Sequence, residues 1–229
     1  MSWVLDNLDL ILQLSIVHVR QSVPPLVLGL VLSLPLGWLA WRYRAARGAI
    51  LSVTGLLYTI PSLALLPILP VIFGISALSE ANLITALTIY AVALLTRSVA
   101  EGLASVDPDV RLAATAVGYG PVRRFWAVDL PLSGPVILAG LRVTAASTIA
   151  LATVGILIGV TNLGYLFTNG LQRRIIPEVL AGLVAVGLIA LLVDLALVLA
   201  GRVLLPWTRR ASTARAASSR AVVPVEAPA

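Results

Sequence analysis

The sequence predicts an all-α, polytopic membrane helix bundle of about five transmembrane helices, preceded by an N-terminal interfacial helix. Three observations predict it. Apolar residues make up 59% of the 229 residues, with a mean hydropathy of +1.02, well above the roughly 45–50% of a soluble domain. Charged residues are only 11% of the chain and sit between apolar stretches rather than along one face of each helix. The apolar stretches approach the roughly 20 residues needed to cross a hydrocarbon core.

Leu5, Leu8, Leu12 and Ile16 recur at helical spacing with Asp6, Asp9 and Gln13 between them. They predict an interfacial helix over residues 1–22. This segment lacks the basic start of a cleaved signal peptide and reads as mature sequence. The apolar body follows over 23–205. Its first span, about 23–41, ends at the interfacial aromatics Trp38 and Trp41. Arg42, Arg44 and Arg47 lead into a second span over 49–73, which contains Pro61, Pro67 and Pro70. Proline in lipid needs neighbours that satisfy the freed backbone groups, so this span is expected to face the protein interior. A turn with Glu80 precedes a third span over 82–96. Residues 97–132 form the one long polar segment, helical through 110–117. A fourth span covers 135–160, a polar connection 161–177, and a fifth span 178–205. Residues 206–229 have too little apolar surface to fold and are expected to be disordered.

The net charge of +6 comes from 16 basic residues, all arginine. Most flank apolar runs, so membrane topology explains them and no nucleic-acid partner is implied. In a five-span arrangement Arg42, Arg44, Arg47, Arg97, Arg111, Arg123, Arg124, Arg209 and Arg210 share one side, the cytoplasm. The N-terminus is then outside and the C-terminus inside. Arg173 and Arg174 fall on the outer side, against the rule. Without cysteine there is no disulfide, thiol nucleophile or cysteine metal site, and His18 has no partner at ligand spacing, so no metal is expected.

The polar segment carries function. Leu112-Ala113-Ala114-Thr115-Ala116-Val117-Gly118 is a small-residue helix with a glycine stop, suited to close docking by another protein. Nine residues after Gly118 comes Val128-Asp129-Leu130-Pro131. The stretch, about 101–132, resembles the coupling loop of binding-protein-dependent ABC importer permeases: Glu-Ala-Ala, three residues, Gly, nine residues, Ile-x-Leu-Pro. Leu112 stands where that family has Glu, so its polar contact is missing while the docking helix remains. Thr59-Ile60-Pro61-Ser62-Leu63-Ala64-Leu65, Gly102-Leu103 with Val106-Asp107-Pro108, Pro135 through Arg142, and more weakly Asn162-Leu163-Gly164 resemble the glycine betaine, choline and carnitine branch.

The resemblance implies a type I importer permease fold and no enzymatic activity in this chain. It implies two permease chains, identical or paralogous, in a bacterial plasma membrane. A cytoplasmic ABC ATPase would hold ATP and Mg, and an external binding protein would deliver a quaternary amine such as glycine betaine, choline, carnitine or proline betaine. The chain itself has no phosphate-binding Gly-x-x-x-x-Gly-Lys loop and no lysine. Ala113, Ala114, Gly118, Asp129, Leu130 and Pro131 are the implied coupling residues. Thr59, Pro61, Ser62 and Asn162 are the implied pathway residues. A permease for another solute, such as methionine or another amino acid, stays open. A membrane hydrolase would need a catalytic pair, and a secondary transporter would need internal repeats and several intramembrane carboxylates.

Arg142 and Asp194 lie inside spans four and five, each roughly 13–17 Å from the cytoplasmic end at 1.5 Å per residue. They are expected to form a structural ion pair, because a charge in lipid survives by pairing. Tyr58, Tyr90 and Tyr165 suit packing or a cation pathway. Gly155 and Gly159 have the spacing of close helix packing.

Overall fold

A computed structural model describes residues 2–207, all helical or irregular with no strand among them. After a short α1 (Ser2–Asp6), α2 (Leu8–Arg42) runs unbroken for 35 residues through Pro24, Pro25 and Pro35. At 1.5 Å per residue it is about 52 Å long, against a core of about 30 Å. The expected boundary at residue 22 is therefore absent. A helix continuous through that point does not lie flat in the interface while its other half crosses. The stripe of Leu5, Leu8, Leu12 and Ile16 is real but points outward, each residue being exposed. The inward face carries Leu14, His18, Gln21 and Ser22. In lipid the apolar face has no reason to hide, so polar groups take the interior.

The second expected span is broken. Helices α3 (Arg44–Thr59) and α4 (Ser62–Phe73) meet at 111° around Ile60 and Pro61. The Tyr90 hydroxyl donates to the Ile60 carbonyl at the break. Within α4, Pro70 cannot donate to the Leu66 carbonyl four residues earlier. The Asn82 side chain supplies the missing donor at 2.9 Å, and also reaches the Ala77 carbonyl at 2.9 Å. That substitution lets α4 stay helical across its prolines.

Helix α5 (Glu80–Ala104) is the central column. Ser79 caps it by accepting from the Asn82 backbone N–H at 3.2 Å. It continues past Thr96 because Arg97 and Glu101 pair one turn apart at 2.9 Å. Gly29 and Gly37 let α2 close on it: a Cβ on the first would overlap Ala91 and on the second Val99.

Next come α6 (Pro108–Ala116), α7 (Pro121–Arg124), a π-helical turn (Phe125–Asp129) and α8 (Leu130–Ala152). A 3₁₀ turn (Thr153–Ile158) then takes the chain off the helix. Gly155 packs on Leu83 and Asn162, while Gly159 ends the turn with φ 77° and open space around it, so the two do not form a helix-packing stripe. The connection over 161–177 contains α9 (Gly164–Arg173), which turns its Gly164, Leu166 and Gly170 face inward and ends on a left-handed Arg174, φ 58°. Helix α10 (Ile176–Leu204) closes the bundle with most of its leucines exposed. Four helices can each cross a membrane, and five spans result when the bent α3–α4 pair counts as one. Apart from Pro206 and Trp207, the expected disordered tail lies outside the described residues.

Three ends share one side of the bundle. The Arg111 guanidinium of α6 lies over the Trp41 ring at the end of α2, 4.7 Å from its centroid. The Leu205 side chain, after α10, covers Gly134 at the start of α8.

Candidate functional site

Helix α6 stands out from the bundle with none of its residues buried. Asp107 caps its start, accepting from the Asp109 N–H at 2.8 Å, and Pro108 occupies the first turn, where its lost donor costs nothing. Its end is reversed at Gly118, φ 92°, a conformation that glycine adopts without strain. The Tyr119 N–H then reaches back to the Ala114 carbonyl at 3.0 Å. Ala113 is exposed and Ala114 half-buried, beside exposed Leu112 and Val117. With Leu112 where a carboxylate would stand, the tip of the element is apolar.

A buried carboxylate holds this prong to the bundle. Asp129 is 1% exposed and receives Arg111 Nε at 2.7 Å and Arg124 Nε at 3.3 Å. Arg111 also donates to the Leu103 carbonyl at the end of α5. Arg124 reaches the Thr115 hydroxyl at 3.2 Å. Asp129, one of the implied coupling residues, is thus held inside the chain and not on the exposed surface of the prong. It ties α6 to α2, α5 and α8 instead. The π turn sets its direction: the Leu130 N–H bonds the Phe125 carbonyl five residues back, just ahead of Pro131, and the extra residue per turn swings Asp129 inward. Leu130 and Pro131 are half-buried behind it.

The four residues implied for a pathway separate into two places. Thr59 and Pro61 are exposed and Ser62 half-buried at the α3–α4 bend, where the Thr59 hydroxyl bonds the Leu56 carbonyl at 2.7 Å. Asn162 is fully enclosed. Its Nδ2 donates to Gln21 Oε1 at 2.9 Å and to the Ala152 carbonyl at 2.8 Å, and its Oδ1 accepts the Gly164 N–H at 2.7 Å. With these bonds made and no exposure, it clamps α2 to the chain leaving α8. His18 joins the same seam, its Nε2 at 2.9 Å from the Ile149 carbonyl. Among the described residues no three acidic, histidine or cysteine side chains cluster as a metal site would.

Arg142 and Asp194 meet in a two-pronged pair, Nε to Oδ1 at 2.6 Å and Nη2 to Oδ2 at 2.8 Å. The pair is not enclosed: its side chains keep 43% and 34% of their exposure on the outer face of α8 and α10. Tyr58 and Tyr90 stack edge to face with centroids 6.1 Å apart, and Tyr165 packs against the Leu14 and Leu166 core.

The family described as binding-protein-dependent transport system inner membrane component matches residues 29–210. The chain belongs to that family. It is therefore a multi-pass inner membrane transport component. It is 30% identical to the choline transport system permease protein OpuBB of Bacillus subtilis (strain 168), over 82% of this chain and 86% of that protein. It is 32% identical to the carnitine transport permease protein OpuCB of Listeria monocytogenes, over 79% and 81%. Its fold matches the inward-facing MetNI methionine ABC transporter with a TM-score of 0.74 at 21% identity, covering 86% of this chain and 97% of that one. The all-α type I importer permease architecture is thus the observed one. In this inner membrane component, the spacing of Ala113, Ala114, Gly118, Leu130 and Pro131 marked the prong. Arg111 and Arg124 were legible only as topology signals, because their shared carboxylate lies 18 and 5 residues away.

Proposed function

We propose that this chain is the permease subunit of an ATP-driven importer for quaternary-amine osmolytes. Two permease chains form the pathway, a separate cytoplasmic ATPase grips α6 of each, and an external binding protein delivers the cargo. The observation that carries the reading is the exposed, apolar-tipped α6 fastened to three spans through Asp129. A push on it reaches α2, α5 and α8 together. Opposite ends of the bundle suit this use. Arg42, Arg44 and Arg47 lie at and just after the end of α2 that Arg111 of the prong covers, which supports a cytoplasmic prong, while Arg20 and Glu80 pair at 2.9 Å between α2 and the start of α5. The N-terminus is then outside and the C-terminus inside. The choline and carnitine named for the two relatives support a cationic amine cargo, and the methionine transporter supports the fold alone.

The test is uptake into vesicles holding the chain with its ATPase and binding protein. Labelled choline, glycine betaine and carnitine are expected to accumulate with ATP, and methionine is not. Methionine uptake with no amine uptake would replace the cargo assignment, and uptake by the chain without any ATPase would remove the importer reading.

A further inference from the structure

An apolar groove of about 580 Å³ opens sideways between α2 and the elbow that follows the prong. Val31, Leu34 and Trp38 form one wall, and Val122, Phe125 and Trp126 the other. Its aromatics brace each other, Trp38 on Phe125 at 6.4 Å and Phe125 on Trp126 at 5.2 Å, both edge to face. Val31, Val122 and Trp126 remain exposed at 57%, 73% and 61%, so none of the described residues fills the groove.

Two arginines adjoin its walls along the chain. Arg42 lies one helical turn beyond Trp38 on the same face of α2, and Arg123 follows Val122 directly. Both are exposed, and each guanidinium lies over a tyrosine ring, Arg42 over Tyr43 at 5.6 Å and Arg123 over Tyr119 at 4.6 Å. Among the described residues neither has a carboxylate partner. An apolar slot at membrane depth, tryptophan at the interface and two unneutralised cations at the rim are complementary to one molecule with a hydrocarbon tail and an anionic head.

We infer that this groove binds an anionic phospholipid of the inner leaflet, acyl chain along Val31–Trp38 and phosphate between Arg42 and Arg123. A quaternary amine would meet like charge at the rim and no carboxylate within. A second copy across a two-fold axis at this groove would set the same arginines against each other. The bound lipid would brace the elbow, since Phe125 in its wall begins the π turn that aims Asp129 at the prong.

Tryptophan quenching tests this with the full chain in phosphatidylcholine vesicles doped with acyl-brominated phosphatidylglycerol or, separately, acyl-brominated phosphatidylcholine. Phosphatidylglycerol is expected to quench at roughly thirtyfold lower mole fraction, as about 1 kcal/mol from each of the two arginines implies. The difference is expected to vanish in Arg42→Gln/Arg123→Gln, and the preferentially quenched signal to vanish in Trp38→Phe/Trp126→Phe, with circular dichroism unchanged in both. Equal quenching by the two lipids would overturn the site as headgroup-selective. A preference that survives the arginine changes would overturn its location, and no quenching of Trp38 and Trp126 by either lipid would show that protein covers the groove.

Discussion

Replacing Asp129 with asparagine keeps the shape of the side chain and removes its charge. Two guanidiniums then face a neutral amide, with Arg111 16% and Arg124 27% exposed. Breaking a buried ion pair costs about 3–5 kcal/mol when the orphaned charge stays buried. Here the cost falls below that range, to about 2–3 kcal/mol, because Arg124 can turn to water and Arg111 keeps the Leu103 carbonyl and the Trp41 ring. The loss falls on docking of the prong and not on the spans, whose contacts are untouched. Amide exchange over residues 106–129 is therefore expected to quicken by roughly 30- to 140-fold, following the conversion of about 1.4 kcal/mol per factor of ten. Exchange across the α2–α5 contact at Gly29 and Ala91 should not change. In the assembled transporter, ATP hydrolysis should continue while uptake falls. Unchanged exchange over 106–129, or equal acceleration throughout the bundle, would refute Asp129 as the local anchor.

Gly118→Val forces a β-branched residue into a left-handed turn at a cost of about 1–3 kcal/mol, and is expected to abolish uptake while membrane insertion stays normal; retained uptake would separate the turn from coupling. Gly37→Leu drives a side chain into Val99 and should destabilise the α2–α5 contact by about 1–3 kcal/mol, read as a lowered midpoint of thermal unfolding in detergent. Asp194→Asn is expected to reduce the amount of assembled protein more than it alters the order of preferred cargo, measured by membrane abundance beside uptake. Normal abundance with no uptake would make the Arg142 pair part of transport itself.

The span positions were legible because hydropathy reports the solvent, and lipid is the solvent here. The prong was legible because a small-residue helix, a glycine and a Leu-Pro at fixed spacing leave a local trace. What escaped was set by contacts distant in sequence. Proline alone did not tell a break from continuity: α2 absorbs Pro24, Pro25 and Pro35, while the chain bends at Pro61, and α4 stays straight enough only because Asn82 serves Leu66 from another helix. Helix α9 hid in a polar stretch because Leu166 and Gly170 face inward on a surface too narrow to dominate its composition. Asn162 looked available for cargo, and only its bonds to Gln21, Ala152 and Gly164 reveal it as fully engaged.

The polar seam of α2 has a consequence for how that helix finds its rotational setting. Gly29 and Gly37 fix that setting by fit against Ala91 and Val99, and the polar residues fix it a second time nearer the other end of the helix. Rotation by a single residue's angle would carry Gln21 away from Asn162 and His18 away from the Ile149 carbonyl, into tails that offer no replacement bond. His18 and Gln21 therefore act as a second key on the shaft, and the azimuth of the longest helix is decided by its least membrane-like residues together with its smallest ones.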